Sequence, residues 1–215
     1  MEYLPVEIAQ KRLIKILRDK GISDRRVLDA FIKVPRHLFV DGAMYAQAYD
    51  DNALPIGLGQ TISQPYIVAL MTELLELGKN DKILEIGTGS GFQAALLAEF
   101  SLRVFTIERH RELGEAARVR LRNMGYANIT FKTGDGTRGW PQHGPFDRII
   151  VTAGAPVVPQ DLISQLAMGG RMIIPTGEKE YQDLVVYDKT PEGVTHYSAA
   201  RVVFVPLIGT QGWKE

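Results

Sequence analysis

The chain has 215 residues and a mass of 23.9 kDa, enough for one α/β domain with a sizeable core or one domain with a modest extension. Lys and Arg total 25, as do Asp and Glu, and this balance excludes a general nucleic-acid binder, which needs an excess of cations to neutralise phosphates. With no cysteine, disulfides, a thiol nucleophile and a thiolate metal site are excluded; four histidines without ligand spacing make no metal site expected.

Met1 to Lys20 intersperses charges among apolar residues, with no apolar export segment, and nothing approaches the roughly 20 apolar residues that span a bilayer. A cytoplasmic location is therefore expected. Ile8, Leu13, Ile14, Ile16 and Leu17 form the stripe of a first helix that stops at Gly21. Ser23 reads as the cap of a second helix carrying Val27, Leu28, Phe31 and Ile32, which ends before Pro35. Residues 36–65, with five Gly or Pro among them, read as one long functional loop.

From Tyr66 the pattern alternates. A helix carrying Ile67 to Leu75 ends at Gly78, and Lys82–Ile86 is an apolar strand. Gly91–Phe100 is helical, Arg103–Glu108 a strand, and Glu112–Met124 a helix closed by Gly125. Strands follow at Asn128–Lys132 and Phe146–Thr152, then a short helix at Asp161–Met168 and a strand at Arg171–Pro175. This is the pattern of a mainly parallel sheet with helices on both faces. Leu184–Tyr187 and Arg201–Val205, with a turn at Pro191-Glu192-Gly193, leave no room for a crossover helix, so the sheet ends in an antiparallel hairpin. The fold expected is a Rossmann-like α/β domain, a seven-stranded sheet with an N-terminal helical extension. It is one domain over 1–215, with 1–65 as the extension and acceptor-side loop and 66–215 as the cofactor-binding core.

Ligands of open α/β sheets bind beyond the carboxyl ends of the strands. After the first strand comes Gly87-Thr88-Gly89-Ser90-Gly91, spaced G-x-G-x-G and not in the G-x-G-x-x-G of a pyrophosphate turn. It is either a ligand cradle at a helix N-terminus or simply a tight turn. Glu108 ends the next strand, twenty-one positions after Gly87, where a carboxylate can accept both ribose hydroxyls or stand as a solvated strand end. Asp135, between Gly134 and Gly136, can meet an adenine amine or close an Asx-turn. Glu85, inside the first strand, needs a partner: the turn's N–H groups, a ligand ammonium, or a structural hydrogen bond. Small residues at Thr152–Pro156 leave room for a reacting group. Adenosine bearing a sulfonium amino acid fits these strand ends better than a dinucleotide, and the glycine spacing opposes an NAD-dependent oxidoreductase.

Several stretches carry a closer likeness: Val34–Val40, Gly59-Gln60-Thr61-Ile62-Ser63-Gln64-Pro65, Leu84–Gln93, Gly134–Gly136, Phe146–Ala153, Gly169–Pro175 and Phe204–Leu207. The glycine motif resembles class I S-adenosylmethionine-dependent methyltransferases. Thr61–Pro65 narrows the resemblance to the protein-L-isoaspartate O-methyltransferase family. That resemblance implies methyl transfer from S-adenosyl-L-methionine, leaving S-adenosyl-L-homocysteine, to the free α-carboxylate of L-isoaspartyl residues in damaged proteins and peptides. The ester then collapses to a succinimide. Carried over by position, Ser63 is the catalytic residue. The cofactor residues are Gln60, Thr61, Ile62, Ser63, Glu85, Gly87, Thr88, Gly89, Ser90, Gly91, Glu108, Arg109, Asp135 and Gly136. No metal, nucleic acid or membrane partner is implied, and the chain is expected to be a monomer. A carboxylate acceptor, with a pKa of about 3.5 to 4, needs no general base. Ser63 is read as positioning it, with capping of the helix at Pro65 as the rival role. A methyltransferase acting on RNA or a small molecule is opposed by Gly59–Pro65 and the charge balance; a non-catalytic binding module stays open.

Overall fold

The computed structural model describes residues 5–214; Met1–Leu4 and Glu215 lie outside the described residues. The amino-terminal third contains helices α1 (Val6–Asp19) and α2 (Arg25–Lys33), two short 3-10 turns at Arg36–Phe39 and Gly42–Gln47, and a small antiparallel hairpin, β1 (Leu54–Gly57) with β2 (Gln60–Ile62). The core follows as α3 (Pro65–Leu74), β3 (Lys82–Ile86), α4 (Phe92–Phe100), β4 (Arg103–Glu108), α5 (Arg111–Asn123) and β5 (Ile129–Thr133). It continues with β6 (Phe146–Val151), α6 (Gln160–Gln165), β7 (Leu166–Gly177), β8 (Gln182–Thr190) and β9 (Gly193–Val202). Seven strands form one sheet in the order β5-β4-β3-β6-β7-β8-β9, and β8 runs antiparallel to both its neighbours.

Strand alternation sorts the core. Ile83, Val104, Ile150 and Ile173 point to the face covered by α3 and α4, where Met71, Leu75 and Leu97 meet them. Leu84, Ile86, Phe105, Ile107, Ile149 and Val151 point to the other face, under α6. A third cluster joins α1 and α2 to α4 through Leu13, Leu17, Val27, Phe31 and Phe92.

The expected order of elements holds, with four corrections. Residues 36–65 are not irregular: they hold the 3-10 turns and the β1–β2 hairpin, whose tip puts Leu58 and Gly59 at φ of 51° and 69°. Ser23 does not cap α2. Asp24 does, accepting from Arg26 N at 2.8 Å, while Ser23 donates its N–H and hydroxyl to Glu73. The helix expected at Asp161–Met168 ends at Gln165, because β7 begins at Leu166 and runs through Gly169 and Gly170. The last strand lies at Gly193–Val202, not at Arg201–Val205, so its body is the exposed, polar stretch before Arg201.

Asp51 ties the extension to the core. Its carboxylate accepts from Tyr66 N (2.8 Å) at the start of α3, from Gln64 Nε2 (2.9 Å) and from Lys20 Nζ (2.6 Å). It thus serves an orphan donor of α3 from fourteen residues before the helix. Glu85 is fully buried on the α3/α4 face, where Thr106 Oγ1 donates to its Oε2, and Thr106 pairs in turn with Thr88 Oγ1 at 2.6 Å. Among the described residues its Oε1 has no partner. Burial pushes this carboxyl up from 4.5 to about 8; the Thr106 hydrogen bond opposes that rise and the Glu108 charge adds to it.

Two outcomes follow for stability. Asp51→Ala should lower the unfolding free energy by about 1–3 kcal/mol in a urea titration; an unchanged midpoint would deny the carboxylate its tethering role. The folded state keeps the Glu85 proton that the unfolded chain releases above pH 4.5. Stability from this group is therefore full below that pH and is lost progressively up to about pH 8. Glu85→Gln should remove this loss, so the parent's Tm should fall more than the variant's between pH 5 and 8. Parallel falls would contradict it.

Candidate active site

The strand order reverses at β3, which has β4 on one side and β6 on the other. A cavity opens at this switch point, beyond the carboxyl ends of all three strands. The turn from β3 to α4 holds Gly87, Gly89 and Gly91 at φ of 96°, 51° and 88°. A Cβ at Gly87 would stand 2.4 Å from Thr152 Oγ1, so only glycine allows β3 and β6 to approach here. Thr152 closes the same joint by donating its hydroxyl to Gly87 O (2.7 Å) and Ile86 O (3.0 Å).

Glu108, 5% exposed at the end of β4, accepts from Gly89 N at 2.8 Å through Oε2 and from His110 N at 2.9 Å through Oε1. Two backbone donors fix its carboxylate at the cavity wall, and each oxygen retains a lone pair for a ligand. Gln93, from the first turn of α4, also lines the cavity. Its Nε2 donates to Thr72 Oγ1 (3.0 Å), whose own hydroxyl donates to Val68 O, which leaves the buried Gln93 Oε1 without a partner. A buried acceptor of this kind calls for a ligand donor.

Most of the expected site residues converge here. Gln60, Thr61, Ile62, Ser63, Gly87, Thr88, Gly89, Ser90, Glu108, Arg109 and Gly136 line the cavity. Three do not. Glu85 lies beneath the turn in the hydrogen-bonded chain to Thr88. Gly91 faces α5, where a Cβ would meet Leu121 at 2.9 Å. Asp135 is turned away: Oδ1 accepts from Thr137 N and Oγ1, Oδ2 from Thr210 N and Oγ1. Those four bonds hold its pKa low against the opposing effect of burial, and the Asx-turn alternative describes its geometry. Gln93 and Ile208 line the cavity without having been singled out from the sequence as site residues, and Thr152, read there only as one of the small residues that leave room for a reacting group, lines it as well.

A second cavity, of about 390 Å³, adjoins the first. Thr61, Ser63, Thr152 and Val205 line both. Ser63 is not the cap of α3; Gln64 occupies that position, and among the described residues nothing bonds to the Ser63 hydroxyl. Its loop is held from behind by Arg36, 1% exposed, which donates Nε to Ala48 O (2.9 Å) and Nη2 to Ser63 O (2.8 Å). The guanidinium stacks 4.9 Å from the centre of the Phe92 ring. Burial lowers it to about 9, partly offset by Asp51 and Tyr49, so it is charged at neutral pH. The far wall, Val205 to Ile208, is laced to Gly154: Gly154 N donates to Val205 O, and Leu207 N to Gly154 O, both at 2.8 Å. Among the described residues no cluster of His, Asp or Glu is placed to hold a metal ion, and no helix is long and apolar enough to cross a membrane.

Comparison with known proteins agrees with this architecture. The sequence model of the family described as protein-L-isoaspartate(D-aspartate) O-methyltransferase matches residues 8–212. A protein-L-isoaspartate O-methyltransferase of Syntrophobacter fumaroxidans is 55% identical over 207 residues, covering 96% of this chain and 97% of the relative. One from Methanoculleus marisnigri is 49% identical over the whole chain and 98% of its own length. A solved protein-L-isoaspartate O-methyltransferase superposes with a TM-score of 0.86 at 30% identity, covering 94% of this chain and 67% of that one. A Plasmodium falciparum structure in complex with S-adenosyl-L-homocysteine, described as a beta-aspartate methyltransferase, gives 0.81 at 25% identity over 93% of this chain and 98% of that one. With its fold and nearly its full length matched, this chain belongs to the protein-L-isoaspartate O-methyltransferase family.

Proposed function

We infer that the chain transfers a methyl group from S-adenosyl-L-methionine to the free α-carboxylate of L-isoaspartyl residues in damaged proteins and peptides. The observation that carries the reading is the shared wall: Ser63 stands between the cavity at the glycine turn and the second cavity. One side carries the glycine turn and the held Glu108 carboxylate, the other is open to an acceptor, and Ser63 lines both.

The cofactor fits the residues present. Glu108 offers two held oxygens for the ribose hydroxyls, and the unpartnered Gln93 Oε1 offers an acceptor for an ammonium donor. The N–H groups at the start of α4 face the same turn. When bound, S-adenosyl-L-methionine supplies a methyl group activated on a sulfonium sulfur. The protein's task is then placement. The acceptor carboxylate is ionised at neutral pH, so no base has to act, and among the described residues the bond to Ser63 is the one that Arg36 donates to its backbone carbonyl. The Ser63 hydroxyl donates to one carboxylate oxygen and leaves the other aimed across the shared wall. Arg36 holds the Ser63 backbone, and hence that hydroxyl, at the boundary. Rate enhancement comes from the fixed alignment of the two reactants. The product ester closes to a succinimide without the protein.

The reading takes 1–65 as the acceptor-side extension and 66–215 as the cofactor core of one domain. It takes the chain as a monomer, as cytoplasmic, which the lack of cysteine supports, and as having no nucleic-acid partner, which the balanced charge supports.

The decisive assay offers labelled S-adenosyl-L-methionine with an isoaspartyl peptide and its normal aspartyl twin. Methylation of the first alone is expected; transfer to RNA instead would overturn the reading. Ser63→Ala should reduce kcat by roughly 10-fold or more with little change in cofactor Kd, the cost of losing one positioning hydrogen bond. An unaltered kcat would remove Ser63 from its role. Glu108→Ala should weaken cofactor binding by about 1.5–3 kcal/mol in calorimetry, whereas an unchanged Kd would place the ribose elsewhere.

A further inference from the structure

The second cavity carries a charge that methyl transfer does not use. Of the residues lining it, Arg201 alone is ionisable to a cation or anion at neutral pH; the others, from Asn52 to Val205, are uncharged. Arg201 lies near the end of β9, with Asp183 of β8 as its cross-strand partner. No ion pair joins them, and among the described residues Arg201 has no carboxylate within salt-bridge reach. Its guanidinium lies instead over the ring of Tyr181, 4.8 Å from the centroid. Stacking occupies the flat face and leaves the in-plane N–H donors available.

The position of this charge matters. Ser63, Thr61, Thr152 and Val205 line both cavities, whereas Arg201 lines only the second. The cation therefore stands away from the boundary where the acceptor oxygen must meet the methyl group. That separation suits the chemistry, because a guanidinium clamped on the acceptor would occupy the lone pairs that attack. At about 390 Å³ the cavity is within the usual range of ligand pockets, about 300–1,000 Å³, and larger than one carboxylate requires. Its rim is apolar and accessible, with Tyr181 45% and Val203 76% exposed.

We propose that Arg201 is a specificity-determining residue, which selects isoaspartyl peptides bearing an acidic side chain next to the isoaspartyl residue. The proposal rests on the functional reading above and names the subset of substrates that this chain prefers. The neighbouring carboxylate pairs with the in-plane donors of Arg201, while the isoaspartyl carboxylate reaches Ser63. Tyr181 holds the guanidinium ready, so little side-chain freedom is lost on binding.

The test uses isoaspartyl peptides identical except for Glu, Gln or Lys at the position before, or in a second series after, the isoaspartyl residue. The readout is the ratio of kcat/KM between peptides within each protein, which cancels any loss of folded material. For the parent, the Glu peptide should exceed the Gln peptide by about fivefold in at least one series at low salt, and the gap should shrink as salt rises. In Arg201→Gln the ratio should fall to about one, and in Arg201→Glu the Lys peptide should become the best. A parent that methylates all three peptides alike in both series, or an Arg201→Glu variant that still prefers Glu, overturns the assignment while leaving the functional reading intact. A parent that methylates none of them overturns both.

Discussion

The contact on which the rest of the site depends is the one between Gly87 and Thr152. Two parallel strands, β3 and β6, end side by side, and a hydroxyl from one bonds the backbone of the other where any side chain would collide. That closeness turns the chain sharply into α4 at positive φ and brings Gly89 N within reach of Glu108. The carboxylate, the free N–H groups of α4 and the buried Gln93 acceptor then face one space. Thr152 also lines the second cavity, so one joint sets the position of both cavities.

The second cavity is walled in part by a segment built of two 3-10 turns and a short hairpin. Residues 36–64 are fastened to the core at a few polar points: Arg36 spans Ala48 and Ser63 over the Phe92 ring, and Asp51 takes the first donors of α3. Arg36 is a buried cation whose Nη1 has no partner, and such a group is retained at a cost in desolvation. What that arrangement achieves is a fixed position for Ser63, whose hydroxyl is left unbonded. The serine is therefore held by its backbone and, among the described residues, unbonded at its side chain, which is what the proposed role of holding an anionic acceptor requires.

The α/β core was legible because its signals are local. Lys82–Ile86 and Arg103–Glu108 are apolar strands, the first followed at once by Gly87 and the second ending in Glu108, and the sequence pattern marks the bounds of both to the residue. Glu108 and the glycine turn declared themselves by spacing. Elsewhere the deciding contacts are distant in sequence. Nothing near Pro65 announces that Asp51 will serve α3, and nothing near Ser23 announces Glu73. The β9 strand is hidden in the sequence because an exposed edge strand carries polar residues, and the apolar signal lies instead at Arg201–Val205. Asp135, between two glycines at a strand end, reads equally as an adenine contact or an Asx-turn; the sequence there says nothing of Thr210, far along the chain, which donates to it beside Thr137. Arg36 and Gln93 sat within recognised motifs, yet their roles follow only from what surrounds them in three dimensions.

The most direct measurement is a calorimetric titration of S-adenosyl-L-homocysteine into the parent and into Gly87→Ala, normalised to the folded fraction by circular dichroism. If the Gly87–Thr152 joint builds the nucleoside cavity, the parent binds and the variant loses at least tenfold in affinity, because an added methyl must push against Thr152 Oγ1 from a strained φ. A folded variant that binds as tightly as the parent, or a folded parent that does not bind at all, contradicts the account.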